Sequence, residues 1–384
     1  MNADMLPEEM LLAPGPDFPS RSVTRSAWFK AAGLRRGSGG LGLLLMTMLS
    51  GCTWHAMEFP AADAYRIQAE YVVVASSAGS GADWNMLQIG VITQGAYPDA
   101  AQVAAAVVDT GVDPRHPDLA GRLLPLQDMV GDDSYDGRVN FRGKDGNGHG
   151  THIAGIMAGV LGSANCPILP VKAIGNSGVG DDRTIARGVR AAVDYRDPAR
   201  PGLRVRVINL SVGGKTSSSV LEEAIRYALS QDVLVVVAAG NRERGVDYPA
   251  AERVSLAVGA TTIKDQLASY SNRGPELAIS APGGDGSESV MSAWPTYLTA
   301  ADFKKGVGAA HAYGGMVGTS MAAPHVTATA ALLFAMDNRL TAEQVRTRLQ
   351  ATADDLGPVG PDPYFGLGRL NVKQALAKGA HDAQ

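Results

Sequence analysis

Apolar positions in this chain gather into short solid runs more often than they alternate with polar ones. Residues 103–108 (V-A-A-A-V-V), 168–173, 205–210, 233–239 and 255–259 are each of strand length. Runs of this kind suit strands buried on both faces, as in a parallel sheet. Between them, residues 183–194 and 218–229 repeat apolar positions at helical spacing. Strands alternating with helices predict an α/β fold, a mostly parallel sheet with helices on both faces. Two more stretches read as helices. Residues 151–160 are small and apolar, and residues 321–336 are apolar all round, the pattern of a helix buried in a core.

Composition narrows the function classes. The chain has 384 residues, 45% hydrophobic and 19% charged, with a net charge of −4. That balance suits a globular enzyme or binding protein and gives no reason to expect a nucleic-acid partner. Two cysteines, Cys52 and Cys166, cannot make a disulfide framework, and Cys166 reads as a small buried filler.

Candidate chemistry sits where the runs end. V-V-D-T-G-V-D (107–113) puts Asp109 at the carboxyl end of a buried strand, where open α/β sheets gather ligands and catalysis. D-G-N-G-H-G-T-H-I-A-G (145–155) sets His149 between glycines at a helix start. G-T-S-M-A-A-P-H (318–325) sets Ser320 behind a glycine at the head of the apolar helix. Unpaired N–H groups and the positive end of the helix dipole lie there. Singly, each residue has a plainer reading. A serine after Gly-Thr is more often a helix cap, Asp109 a strand-end turn residue and Asn241 an ordinary turn residue. His149 and His152 could mimic a metal pair, but no carboxylate follows at ligand spacing, so no metal is expected. Taken together, an acid, a base and a nucleophile far apart in sequence form the set that a fold assembles for acyl transfer.

In that order, Asp, His, Ser, the chain resembles the subtilisin-like serine proteases, the subtilases, across residues 84–376. Further matches include N-L-S-V-G-G (209–214), V-V-A-A-G-N (236–241), Y-S-N-R-G (270–274) and A-P-G (281–283). The resemblance implies a three-layer subtilisin-like fold and endopeptidase activity on polypeptides, with Asp109, His149 and Ser320 as the catalytic triad. It implies an oxyanion hole from the Asn241 amide and the N–H of Ser320. Substrate would lie between two backbone edges, Gly178, Val179 and Gly180 on one side and Ser211, Val212, Gly213 and Gly214 on the other. Ala238, Ala239 and Gly240 would wall the primary specificity pocket, whose small residues suggest a roomy apolar space. No cofactor is implied. Many subtilases bind calcium in a loop beyond the catalytic histidine helix, but residues 155–172 are short for that loop. The acidic string Asp132, Asp133, Asp136 and Asp145 could offer oxygen ligands; a solvated acidic loop is the competing reading. Two other functions stay open: a non-catalytic binding or scaffold protein on a protease fold, and a serine esterase.

The N-terminal region carries a separate message. Arg35 and Arg36 precede an apolar run, 41–49, too short to span a bilayer but suited to a signal peptide. L-S-G-C (49–52) resembles the bacterial lipoprotein signal, which implies lipid on Cys52, export, and a membrane-anchored enzyme. The stretch before Arg35 is longer than a signal peptide needs, so the true start is expected further along. Residues 1–52 are thus expected to be a signal peptide with its lipobox, 53–83 a short tether or pro-like segment, and 84–380 the catalytic domain. The tether holds one strand-like run, 69–76, and then S-S-A-G-S-G. It is short for a folded inhibitory propeptide, so folding without a cleaved one is expected. Residues 284–315 are expected to form either a flap near the cleft or a surface insertion.

Overall fold

The computed structural model describes residues 64–67, 70–72, 84–91, 102–131, 133–135, 139–286, 288–305 and 309–377. All of them belong to the compact unit Phe59–Gln384. Cys52, the 41–49 run, S-S-A-G-S-G, Asp132 and Asp136 lie outside the described residues.

In chain order the unit opens with β1 (Ala64–Ile67), β2 (Glu70–Val72) and α1 (Trp84–Gln88), then β3 (Val103–Asp109) and β4 (Gln127–Asp128). A hairpin of β5 (Ser134–Tyr135) and β6 (Val139–Asn140) precedes α2 (His149–Leu161). Next come β7 (Ile168–Lys172), β8 (Val179–Asp181), α3 (Asp182–Asp194), β9 (Arg204–Leu210), β10 (Val212–Gly213) and α4 (Ser219–Ser230). β11 (Leu234–Ala238), β12 (Leu256–Thr261), β13 (Leu277–Pro282), β14 (Val290–Ala293), α5 (Ala300–Lys305) and β15 (Tyr313–Val317) follow. The described chain ends with α6 (Thr319–Met336), α7 (Ala342–Ala351) and α8 (Val372–Ala377).

Seven strands form one sheet in the order β13-β12-β11-β9-β3-β7-β4, and every neighbouring pair is parallel. Strand β3 shows why its sequence is solidly apolar. Val103, Ala105 and Val107 enter one core cluster, while Ala104, Ala106 and Val108 enter the other. Side chains alternate across a strand, so a strand with no wet face must be apolar at both parities. Helices α2 and α6 cover the first face with Ile153, Met157, Val326 and Ala330. Helices α3 and α4 cover the second with Ile185, Val189, Leu221 and Ile225. The result is the three-layer α/β arrangement that the pattern predicts. Helix α6 has no polar stripe because residues 319–334 are all buried.

Three expectations change. Helix α2 begins at His149 and α6 at Thr319, two residues earlier than the apolar patterns suggest, so both chemistry-bearing residues lie inside first turns. The 53–83 segment is more than a tether: β1 and β2 fall within it, and both pair with strands of the catalytic body. Residues 284–315 are no surface insertion, since they supply β14 and β15, and Trp294 is fully buried.

Candidate active site

Asp109 is the last residue of β3, and His149 is the first of α2. The imidazole Nδ1–H donates to Asp109 Oδ1 at 2.7 Å, and Asp109 Oδ1 also accepts the N–H of Thr110 at 2.7 Å. Donation from Nδ1 leaves Nε2 as the unprotonated, basic nitrogen. Nε2 is buried and makes no hydrogen bond. The helix start is pinned from two sides. A side chain at residue 150 would put its Cβ 2.1 Å from the Gly111 carbonyl, so only glycine lets α2 reach the turn after β3. The Asp145 carboxylate collects the N–H groups of Asn147, Gly148 and Thr151 and the hydroxyls of Thr110 and Thr151. Thr110 in turn accepts the N–H of Gly150 at 2.9 Å, closing a network around the Asp109–His149 pair.

This network bears on calcium. Asp145 is occupied by those donors, and Asp133 is occupied by a 2.9 Å ion pair with buried Lys172 and by the N–H of Asn176. Carboxylates committed to protein donors do not fit a calcium cage. Among the described residues no group of three or more His, Cys, Asp or Glu side chains could hold a metal ion.

Ser320 lies in the first turn of α6, behind Gly318 at φ 153° and ψ 162°, a conformation essentially confined to glycine. Its hydroxyl donates to the Ser211 carbonyl at 3.2 Å, and the Ser211 hydroxyl donates to the Ser320 carbonyl at 3.0 Å. Asn241 lies just past β11. Its Oδ1 accepts both the N–H and the hydroxyl of Thr319, at 3.0 and 2.8 Å, which settles the amide orientation and makes Nδ2 the donor end. The sheet brings these groups together. β3, β9 and β11 are adjacent parallel strands, with Val107 opposite Asn209 and Val237 opposite Leu210. Asp109, Ser211 and Asn241 therefore occupy the carboxyl ends of neighbouring strands about 5 Å apart.

The backbone edges assigned to substrate are β8 with Gly178 before it, and Ser211 to Gly214 around β10. Neither edge is vacant, because β1 runs antiparallel between them. Ala238 and Ala239, expected to wall the specificity pocket, are fully buried. The surroundings of Gly240 are not purely apolar: Asp247 Oδ2 sits 2.6 Å from where a Cβ on Gly240 would be. This buried carboxylate pairs with Arg242 and Arg244 at 2.7 Å each. Asp247 was not legible as a neighbour of Gly240, since it is held there by its N–H bond to the Ala239 carbonyl, a contact between residues eight apart in sequence. Thr110, Lys172 and Thr319 were likewise missed as site residues, and Asp145 was read only as a possible calcium ligand. Asp145 and Thr319 lie inside the quoted motifs, whereas Lys172 carried no signal beyond a lysine in a buried run.

His152 and His325 are buried histidines beside the site. His152 Nε2–H donates to the carbonyls of Val290 and Gly314, both at 3.1 Å, tying α2 to β14 and β15. Burial, with His149 nearby, lowers its pKa to about 3. His325 donates from Nδ1 to the Met321 carbonyl and accepts from Asn85 at Nε2; burial lowers its pKa to about 4. Cys166 is buried and unpaired, and burial pushes its thiol up to about 12, an inert filler as expected.

Comparison with known proteins agrees with the fold. The subtilase family model matches residues 100–368. Thermitase of Thermoactinomyces vulgaris is 35% identical over 280 residues, covering 71% of this chain and 87% of thermitase. Subtilisin DY of Bacillus licheniformis is 36% identical over 287 residues, 72% of this chain and 91% of the relative. Subtilisin of Bacillus pumilus is 35% identical over the same length and shares. With a seven-stranded parallel sheet between two helical layers and these similarities across most of its length, the chain belongs to the subtilase family and is a subtilisin-like serine endopeptidase.

Proposed function

We propose that Asp109, His149 and Ser320 carry the hydrolysis, with Asn241 and the N–H of Ser320 as the oxyanion hole. The observation that carries this reading is the buried 2.7 Å Asp109–His149 bond, which leaves a basic, unbonded Nε2, beside β9, the strand after which Ser211 bonds Ser320. The Ser320 hydroxyl turns from the Ser211 carbonyl to His149, gives up its proton, and attacks the scissile carbonyl. Asp109 keeps the imidazole in the required tautomer and stabilises the imidazolium. Developing charge on the carbonyl oxygen falls between the Asn241 amide and the first turn of α6. His149 then returns the proton to the leaving amine, and water releases the acyl group. Gly178, Val179, Gly180 and residues Ser211 to Gly214 hold the substrate as an added antiparallel strand.

The test is Ser320→Ala. Casein digestion should fall by about 10⁶ in kcat, and a fluorophosphonate should label wild type but not the variant. A variant that keeps wild-type turnover refutes the assignment. Labelling without casein digestion would favour the esterase reading, and no labelling the scaffold reading.

We further propose that the enzyme is exported and held on a bacterial membrane by lipid on Cys52. The support is L-S-G-C behind the short apolar run. Detergent-phase partitioning and the mass of the N-terminal peptide, both measured on Ser320→Ala, test this; an unmodified Cys52 refutes it.

A further inference from the structure

Gly148, the residue before His149, packs against a tryptophan. It has φ 102°, and a Cβ on it would lie 2.5 Å from Trp294 Cζ2, so the indole fills the space a side chain there would take. Trp294 follows β14 and is wholly buried. Its backbone N–H donates to the Ala312 carbonyl at 2.7 Å, the His311 ring stacks on it at 5.7 Å, and its Nε1–H donates to Asp302 Oδ2 at 3.3 Å. Asp302, itself buried, is held by Thr299, whose N–H and hydroxyl donate to the same oxygen. This segment also grips the loop ahead of Gly148. The Ala300 N–H donates to the Gly146 carbonyl at 2.8 Å, and the Asp145 N–H donates to the Tyr297 hydroxyl at 3.1 Å. Further along α2 the contacts continue at helical spacing. The Ser292 hydroxyl donates to the His152 carbonyl at 2.8 Å, and a Cβ on Gly155 would lie 2.8 Å from that of Ala293. Residues 148, 152 and 155 share one face of α2, so β14 and Trp294 line that face from the helix start.

We infer that Trp294 is a positioning residue for the hydrolysis: its indole, anchored on Asp302, fixes the first turn of α2 and with it the reach of His149 Nε2 to Ser320. This rests on the triad reading above. Asp145 binds the N–H of Gly148 at 2.8 Å, and the indole closes the space beside the Gly148 Cα. A glycine has no side chain of its own to resist rotation at that point. Without the ring a void opens, the Gly148 backbone shifts toward it, and His149, one residue on, shifts with it. Ser320 does not follow. Trp294 is bonded to Ala312, the residue before β15, and β15 runs on to Gly318 and the nucleophile. The indole therefore ties the turn that carries the base to the strand that leads to the nucleophile. Displacing such a pair by about 1 Å costs about 10²-fold in rate. The proposed substrate edges, β8 and β10, belong to other elements, so the loss falls on kcat rather than on KM.

The experiment compares Trp294→Leu, Trp294→Phe and Phe334→Leu in the full chain. Phe334 is a buried ring near the far end of α6, so its variant reports what losing a core ring does by itself. Casein digestion is counted per site labelled at saturation by a fluorophosphonate, which keeps unfolded protein out of the comparison. Trp294→Leu should lower kcat about 10²-fold with KM within about twofold, and Trp294→Phe should regain about tenfold of that loss. Phe334→Leu should change kcat by less than about threefold. In a Ser320→Ala background, the low-field proton resonance of the Asp109–His149 bond should persist in Phe334→Leu and broaden away in Trp294→Leu. A Trp294→Leu enzyme that loses no more kcat than Phe334→Leu overturns the inference, as does an unchanged low-field proton. Should Trp294→Leu fail to fold, Asp302→Ala takes its place, because it removes the anchor and keeps the ring. It should lower kcat at least about tenfold, and parental kcat there overturns the inference equally. A wild type that neither digests casein nor takes the label removes the protease reading itself, and the inference with it.

Discussion

Ser211 and Ser320 exchange two hydrogen bonds, each hydroxyl donating to the other residue's carbonyl, at 3.0 and 3.2 Å. Pro324 explains why one of them is needed. Lying four residues after Ser320 in α6, it has no N–H, so the Ser320 carbonyl lacks its helical donor, and the Ser211 hydroxyl takes that place. The pair ties the first turn of α6 to the chain just past β9. Asn209 extends the tie, donating to Ser211 and accepting from Thr327 in the same helix.

Removing that donor should be felt. Ser211→Ala leaves the buried Ser320 carbonyl unsatisfied and should cost about 1–3 kcal/mol. Denaturant unfolding in a Ser320→Ala background, free of self-digestion, measures it. No change in midpoint would mean that the carbonyl finds another partner.

Asn241→Ala tests the oxyanion assignment. The expected outcome is a fall of about 10²–10³ in kcat with KM little changed, because the amide acts on charge that exists only in the transition state. A rise in KM at constant kcat would assign Asn241 to ground-state binding instead.

Lys172 is wholly buried at the end of β7, bonded to Asp133 and to the Thr110 carbonyl, both at 2.9 Å. Lys172→Met strands the Asp133 charge and frees the turn beside Asp109. It should destabilise the fold by about 3–5 kcal/mol. A thermal midpoint equal to that of the parent would contradict this.

Acid should weaken the fold through His152 and His325. Both rings stay neutral when folded, with pKa values near 3 and 4, against 6.5 for an ordinary histidine. Below pH 6.5 the unfolded chain therefore binds more protons. The stability is fully present above that pH and is lost as pH falls toward 4 and then 3. Each ring contributes a slope approaching about 1.4 kcal/mol per pH unit. For His325 the structural reason is that protonating Nε2 would destroy the bond from Asn85. Melting of Ser320→Ala from pH 7 to 4.5 should show the fall, and His325→Gln should flatten it; parallel curves would count against His325.

Much of the candidate site was legible because close backbone approach restricts residue choice. Gly150 is required where α2 meets the Gly111 carbonyl, and Gly318 where the chain turns into α6. Such glycines cluster around His149 and Ser320, and they make the motifs long and specific. The solid apolar runs likewise announced strands without a wet face. Asp247, Lys172 and Ser211 as a partner of Ser320 left no comparable trace, since each acts through a neighbour distant in sequence.

The sequence by itself determined the layer architecture and marked Asp109, His149, Ser320 and Asn241 as candidates, because periodicity and local backbone geometry are written in consecutive residues. Only the tertiary structure decided what faces what across the cleft. Ala-Tyr-Arg-Ile is too short and too mixed in polarity to announce a strand, and its pairing depends on two edges that exist only once β8 and β10 are in place. A strand that borrows its partners has no pattern of its own, and so a segment that read as a tether became a strand between β8 and β10.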